Sequence, residues 1–264
     1  MTVISVPGGW VALRPINGHD ESAIEAADLH GALDLLDRLL ITRAGALVGQ
    51  GEAGRLSYAA RDRVLAAVYV KVYGEMIVST VRCIACDKPF DLSFSLSDFV
   101  EANPSSDVRA DTVHVTENGW RFRLITGDDE RAVIGMPAQA ARQAMLTRCT
   151  QSDTPPDERA MDEIEAAMEH IAPLLSADLS ATCVECSREQ QIGFDVQAFL
   201  LSRLIKDKMR LAGEVHTLAM AYHWGLSEIL SLTRAERRQY IALIEADARR
   251  AAARASVGRR RIGA

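Results

Sequence analysis

Aromatic residues are scarce in this chain of 264 residues: three Trp, five Tyr and six Phe make up 5%. Readers of single-stranded nucleic acid stack bases on aromatic rings, so this scarcity argues against that class. An excess of positive charge is also missing. Acidic residues number 36 against 30 basic ones, for a formal net charge of −6 and a pI of about 5.6. A surface of that sign does not attract polyanions as a whole, and only a local basic patch remains for such a role. No run approaches the roughly 20 apolar residues that span a bilayer. Met1–Gly9 (MTVISVPGG) lacks a basic opening and meets Pro7-Gly8-Gly9 before an apolar stretch can develop, so an export signal is not expected and a cytoplasmic location is.

Catalytic signatures are absent too. The chain has no Gly-x-x-x-x-Gly-Lys phosphate loop, no Gly-x-Ser-x-Gly elbow, no dinucleotide-binding glycine triplet and no His-Glu-x-x-His pair. The expectation is a protein that is not an enzyme. With 48% hydrophobic and 25% charged residues, the composition is that of an ordinary folded protein of one large domain or two small ones.

The chain repeats itself. Val3–Trp10 (VISVPGGW) returns as Val113–Trp120 (VHVTENGW), and Ile16–Glu21 (INGHDE) as Ile125–Glu130 (ITGDDE), each displaced by about 110 positions. Cys83-x-x-Cys86 returns as Cys183-x-x-Cys186, and Phe99 and Phe199 stand at the same distance after the two pairs. Apolar and polar residues alternate on both sides of Asn118-Gly119, which predicts a hairpin with a type I′ turn; Gly8-Gly9 serves the same bend in the first copy. Asn17 with Asp20, and Thr126 with Asp129, predict a capped helix after each hairpin. Helices are expected at Tyr58–Tyr73 and Glu158–Ile171, and the alternation of Leu92, Phe94 and Leu96 with serines predicts a half-buried strand after Cys86. Polar linkers fall at residues 45–54, 102–107 and 151–157.

Two Cys-x-x-Cys pairs can present four thiolates to one tetrahedral Zn²⁺. The long gap between the pairs is bridged if two related halves face each other about a pseudo-twofold axis, which brings Cys83 and Cys86 to Cys183 and Cys186. A Cys₄ site has no open position, so its expected role is structural. The competing readings are a thioredoxin-like redox pair, which needs a low-pKa thiol at a helix start, and unligated buried thiols. Neither pair opens an evident helix. Cys149, the fifth cysteine, reads as an inert core residue. His216 and His223 stand seven positions apart in a helical stretch, a surface or core pair in preference to a second metal site.

From Leu200 the pattern is helical almost throughout: one helix to about Tyr222, a short one from Ser227, and a last one through Ala253 opened by a capping box of Thr233 and Glu236. Its apolar set, which includes Leu226, Ile229, Tyr240 and Ile244, can close a core or dock on a partner. Arg234–Ala264 holds nine Arg against three acidic residues. That tail is either a solvated end or a handle for an acidic protein or nucleic acid. The expected fold is α+β: a first half at 1–107, a second at 108–200, a Cys₄ zinc-ribbon-like site joining them, a helical arm at 201–253, and a basic tail at 254–264 without fixed structure.

Five segments together, RPINGHDE, the FDLSFSLSDF after the first cysteine pair, WRFRLITGDDE, the FDVQAFL after the second pair, and EVHTLAMAYHWGLSEILSLTRAERRQYIALI, resemble the baseplate proteins encoded with phage-derived contractile injection systems. Those proteins are similar in turn to the T-even phage baseplate hub assembly family. The resemblance runs from about Pro15 to Ala246 and is most specific over Glu214–Ile244. It implies a non-enzymatic component or assembly factor of a contractile tail-like particle, with other baseplate, hub or spike proteins as partners and a cytoplasmic location during assembly. It also implies one structural zinc on Cys83, Cys86, Cys183 and Cys186, and a signature helix carrying His216, Tyr222, His223 and Trp224; these four and Tyr240 are the expected partner-binding residues. The other reading is a zinc-containing nucleic-acid-binding regulator that uses Arg259, Arg260 and Arg261.

Overall fold

The computed structural model describes the backbone of residues 1–152 and 154–262, and side chains as far as Ala252. The basic tail expected at 254–264 to lack fixed structure is instead helical in its backbone as far as Ile262, while its side chains, those of Arg259, Arg260 and Arg261 among them, lie outside the described residues. A first series of elements comprises β1 (Thr2–Val6), β2 (Gly9–Leu13), α1 (Gly18–Ala23), α2 (Leu29–Leu39), a 3₁₀ turn at Ala53–Arg55, α3 (Tyr58–Tyr73), β3 (Met76–Arg82), β4 (Pro89–Ser95) and α4 (Leu96–Ala102). A second comprises β5 (His114–Val115), β6 (Arg121–Phe122), α5 (Gly127–Ala132), α6 (Ala138–Cys149), α7 (Glu158–Ile171), β7 (Ser176–Thr182), β8 (Glu189–Asp195) and α8 (Val196–Lys206). Then follow α9 (Lys208–Tyr222), α10 (Leu226–Ser231) and α11 (Arg234–Ile262).

The fold is mixed α/β, about half helical, and its sheets are two-stranded antiparallel hairpins. Contacts divide the chain into two compact units, Met1–Arg14 with Ala26–Ser202, and Pro15–Glu25 with Arg203–Ala264. The expected halves thus fall in one unit, except that Pro15–Glu25 goes with the arm.

In the first unit, β1 and β2 turn at Pro7-Gly8, between the paired Val6 and Gly9. Proline followed by a glycine at φ 81° is the chemistry of a type II turn. A Cβ on Gly8 would also lie 2.7 Å from Arg109 Cα. The second hairpin departs from the expected type I′ turn. Its only positive φ is at Gly119 (88°), the Gly119 N–H donates to Thr116 O, and Thr116 N–H donates to Trp120 O. That is a type I turn closed by a left-handed glycine. Glu163 of α7 sets it, accepting from both the backbone N–H and the side-chain amide of Asn118 at 3.0 and 2.7 Å. Helices follow both hairpins, each with its capping box, Asn17 with Asp20 and Thr126 with Asp129. Ser57 and Asp157 cap α3 and α7, whose limits are those expected from sequence. A core of Tyr58, Phe122, Leu124, Leu146, Ile164 and Met168 lies beneath them.

Asp62 on α3 is buried and accepts the Leu175 N–H at 3.1 Å. Burial pushes its carboxyl up to about 6, against the opposing pull of Arg61 and of that hydrogen bond. An unfolded Asp titrates near 3.9, so between about pH 4 and 6 the folded chain holds a proton that the unfolded chain has lost. The stability contributed by Asp62 is therefore full below that window and declines as pH rises through it. Asp62→Asn should remove the decline, worth up to about 3 kcal/mol, when urea midpoints of both proteins are compared at about pH 4 and pH 7.

The second unit is closed by ion pairs. Arg237, fully buried, donates to Glu214 Oε2, Glu21 Oε1 and the Leu232 carbonyl at 2.8, 2.8 and 2.7 Å. Arg234 bonds Glu21 and Asp207, and Arg210 bonds Asp207 and Glu214. The Thr233–Glu236 capping box forms as expected. The single helix expected up to Tyr222 is instead interrupted at Asp207, where α8 ends and α9 begins; the Asp207 carboxylate bonds Arg210 and Arg234. The last helix continues to Ile262, beyond the expected end at Ala253.

Candidate metal centre

Each Cys-x-x-Cys pair sits at the tip of a hairpin. Strands β3 and β4 pair from Met76↔Ser95 to Arg82↔Pro89, and β7 and β8 from Ser176↔Asp195 to Thr182↔Glu189, the same register one hundred positions on. Across the first tip, Cys83 N–H donates to Lys88 O and Asp87 N–H to Cys83 O; across the second, Cys183 N–H donates to Arg188 O and Ser187 N–H to Cys183 O. These turns lack the glycine usual in zinc knuckles. Asp87 and Ser187 nevertheless take the left-handed conformation, at φ 56° and 57°. A side chain in that region costs about 1–2 kcal/mol. Asp87→Gly and Ser187→Gly should each stabilise the tip by about 1 kcal/mol, read as a later loss of metal on chelator titration.

All four Sγ atoms lie within 4.8 Å of one another. The close approaches cross between pairs, Cys83 to Cys186 at 3.6 Å and Cys86 to Cys183 at 3.8 Å. A disulfide needs about 2.05 Å, and all four cysteines are free. The arrangement is compatible with a bound metal. Backbone N–H groups of Cys86 and Ala85 bring the Cys83 thiol down to about 6. Although the Arg188 N–H favours its thiolate, Cys186 is pushed up to about 12 by the neighbouring Cys83 and Cys86 sulfurs. Such mutual opposition is what a cation among four sulfurs relieves. Neither pair opens a helix, so the helix-start setting of a thioredoxin-like thiol is absent at both.

The two tips are braced by a residue that sequence reading misses. Gln190, buried on β8, accepts the Ile84 N–H at 2.9 Å and donates to Arg82 O at 3.1 Å, tying the second hairpin to the first. Its counterpart is Phe90, which packs with Cys83 and Cys183. Gln190→Leu would keep the volume but leave a backbone donor and acceptor unpaired, and should cost about 1–3 kcal/mol of tip stability. Faster amide exchange at Ile84 is the measurement. Below the sulfurs, the equivalent residues Phe94 and Phe194 meet edge to face at 5.0 Å, with Phe99 and Phe199 against Phe194. At the outer end, Ile84 and Val184 leave 74% and 79% of their surface exposed.

Among the described residues, none of the other sequence candidates belongs to this cluster. Cys149 is buried in the core and burial pushes its thiol up to about 12. His216 is exposed on α9. His223 is also exposed but leaves the helix in the left-handed conformation at φ 58°, so it does not continue the face of His216. That turn brings the rings of Tyr222 and Trp224 into a stack at 4.8 Å, and Tyr240 of α11 meets Trp224 edge-on at 5.0 Å. Among the described residues no helix is long and apolar enough to cross a membrane. Comparison with protein-family models, curated proteins and solved structures finds no match.

Proposed function

We propose that the chain is a non-enzymatic, zinc-stabilised component or assembly factor of a contractile, phage-tail-like baseplate hub, and that it acts by protein–protein binding. The observation that carries the metal half is the sulfur geometry. A tetrahedral Zn²⁺ with Zn–S bonds of about 2.3 Å has sulfur–sulfur edges of about 3.8 Å, and the cross-pair distances here are 3.6 and 3.8 Å. Four thiolates from two equivalent tips leave no open position, which favours a structural ion joining duplicated halves in the manner of a zinc ribbon. Matching strand registers and the meeting of Phe94 with Phe194 support the duplication.

The baseplate assignment rests on the resemblance over Glu214–Ile244. It is supported by surfaces suited to partners: the Tyr222, Trp224 and Tyr240 cluster, and the exposed apolar tips Ile84 and Val184. Purified protein should contain one zinc per chain; less than about half an equivalent, with four titratable thiols, overturns the metal assignment. Baseplate, hub or spike proteins of the same particle should capture the chain, and a Trp224→Ala, Tyr240→Ala variant should lose that capture. Unchanged capture removes the arm from the interface. Steeply salt-dependent DNA binding in place of protein capture would favour the nucleic-acid-binding regulator instead.

A further inference from the structure

The chain contains two copies of a socket and plug. In the first unit the socket is Ile125–Glu130 and the plug is the start of α3, Leu56-Ser57-Tyr58-Ala59-Ala60-Arg61. Gly127 N–H donates to Leu56 O, Thr126 bridges Ser57, and Glu130 takes the Arg61 guanidinium. In the second unit the socket is Ile16–Glu21 and the plug is the start of α11, Leu232-Thr233-Arg234-Ala235-Glu236-Arg237. Gly18 N–H donates to Leu232 O, Asn17 bridges Thr233, and Glu21 takes the Arg237 guanidinium. The two glycines make the same close approach. A Cβ on Gly127 would lie 3.2 Å from Gly54 Cα, and one on Gly18 would lie 2.9 Å from Leu230 Cα, each two residues before the plug's leucine. The third helix start, α7, has the cap Asp157 and Ala160 but a buried Met161 in place of the arginine.

The first socket thus joins one series of elements to the other, and the second receives the arm by the same chemistry. We propose that the Leu232–Arg237 plug is exchangeable, and that the α1 socket accepts it from a second copy of this chain to give an arm-exchanged dimer. The second unit favours this occupant. Its socket is the short segment Pro15–Glu25, and every other residue of the unit comes from Arg203 onward. An arm from another copy would therefore remake the same bonds, which is why exchange of identical elements costs little. Within one chain the linked plug acts at a high effective concentration, so the closed form holds in dilute solution and exchange grows as copies are crowded together.

Two full-length variants with complementary defects test this. Glu21→Ala breaks the socket and keeps the plug; Arg234→Ala with Arg237→Met breaks the plug and keeps the socket. Each alone should be a monomer by light scattering, with fast amide exchange in α11. Unchanged metal-to-thiol stoichiometry would report that the first unit is folded. Mixed in equal amounts, they should form a heterodimer of twice the mass, with α11 protection restored in the Glu21→Ala chain. Two monomers with both arms still unprotected would overturn the proposal. So would wild-type protection of α11 in either variant alone, because the ion pairs would then not be what seats the plug.

Discussion

If the four sulfurs hold the proposed metal, Cys183→Ser is expected to lose it at chelator concentrations that leave the wild type loaded, with a metal dissociation constant raised about a hundred- to a thousandfold. The figure follows from an apparent structural-zinc energy of about 10–16 kcal/mol shared among four thiolates, or about 2.5–4 kcal/mol for each. Cys183 is a stringent choice because its sulfur is buried and approaches Cys86 of the other pair at 3.8 Å. Serine there replaces a soft thiolate by a hydroxyl that stays protonated near neutral pH. Beyond the brace from Gln190, the packing that holds the tips is small: Cys83, Phe90 and Cys183, with Val81, Cys86, Ala181 and Ile192 at its margin. The loss should be local. Phe94 and Phe194 still meet edge to face below the tips, so amides of residues 83–88 and 183–188 should exchange rapidly while those of α3 and α7 stay protected. Loss of protection throughout the first unit would mean that the metal holds far more than the tips. Full retention of bound metal by the variant would mean that these sulfurs do not form the site.

How much of this was legible depends on how local the determinants are. The limits of α3 and α7 follow from Ser57 and Asp157 as caps and from the residues beside them, so the sequence alone places them. The convergence of the cysteines is not local; it could be read only through the repeat, which supplies the axis that a gap of about a hundred residues hides. The turn at Asn118-Gly119 departs from what its local residues predict, and Asn118 there is held by Glu163, far along the chain. At Asp207, where the helix is interrupted, the carboxylate pairs with arginines on α9 and α11 that no local propensity announces. Gln190 carries no motif, and its position opposite Phe90 in the other hairpin gains meaning only once the two tips are seen together. The match of Leu-Thr-x-Ala-x-Arg in the arm to Leu-Ser-x-Ala-x-Arg before α3 was present in the sequence, but it breaks the spacing of the other repeats.

The second large effect is expected at Arg237. Arg237→Ala should destabilise the second unit by about 3–5 kcal/mol, because it removes one member of a buried ion cluster and leaves Glu21 and Glu214 short of a partner. The Leu232 carbonyl also loses a donor. Burial decides the size: Arg237 is fully buried and its carboxylate partners nearly so, so neither water nor salt can replace the lost contacts. Arg249 provides the contrast. It stands 3.6 Å from Glu245 with both side chains well exposed, and Arg249→Ala should change stability by less than about 0.5 kcal/mol. Amide exchange within α11 is the direct measurement, since it reports the arm without requiring the two units to unfold together. Arg237→Ala should speed that exchange by about two to four orders of magnitude, at low and at high salt alike. Glu21→Gln offers a further check, because an amide keeps the volume and one acceptor while removing the charge that two arginines share. A loss close to that of Arg237→Ala would assign the closure of the unit to charge pairing, whereas a loss of only about 1 kcal/mol would assign it to hydrogen-bond geometry.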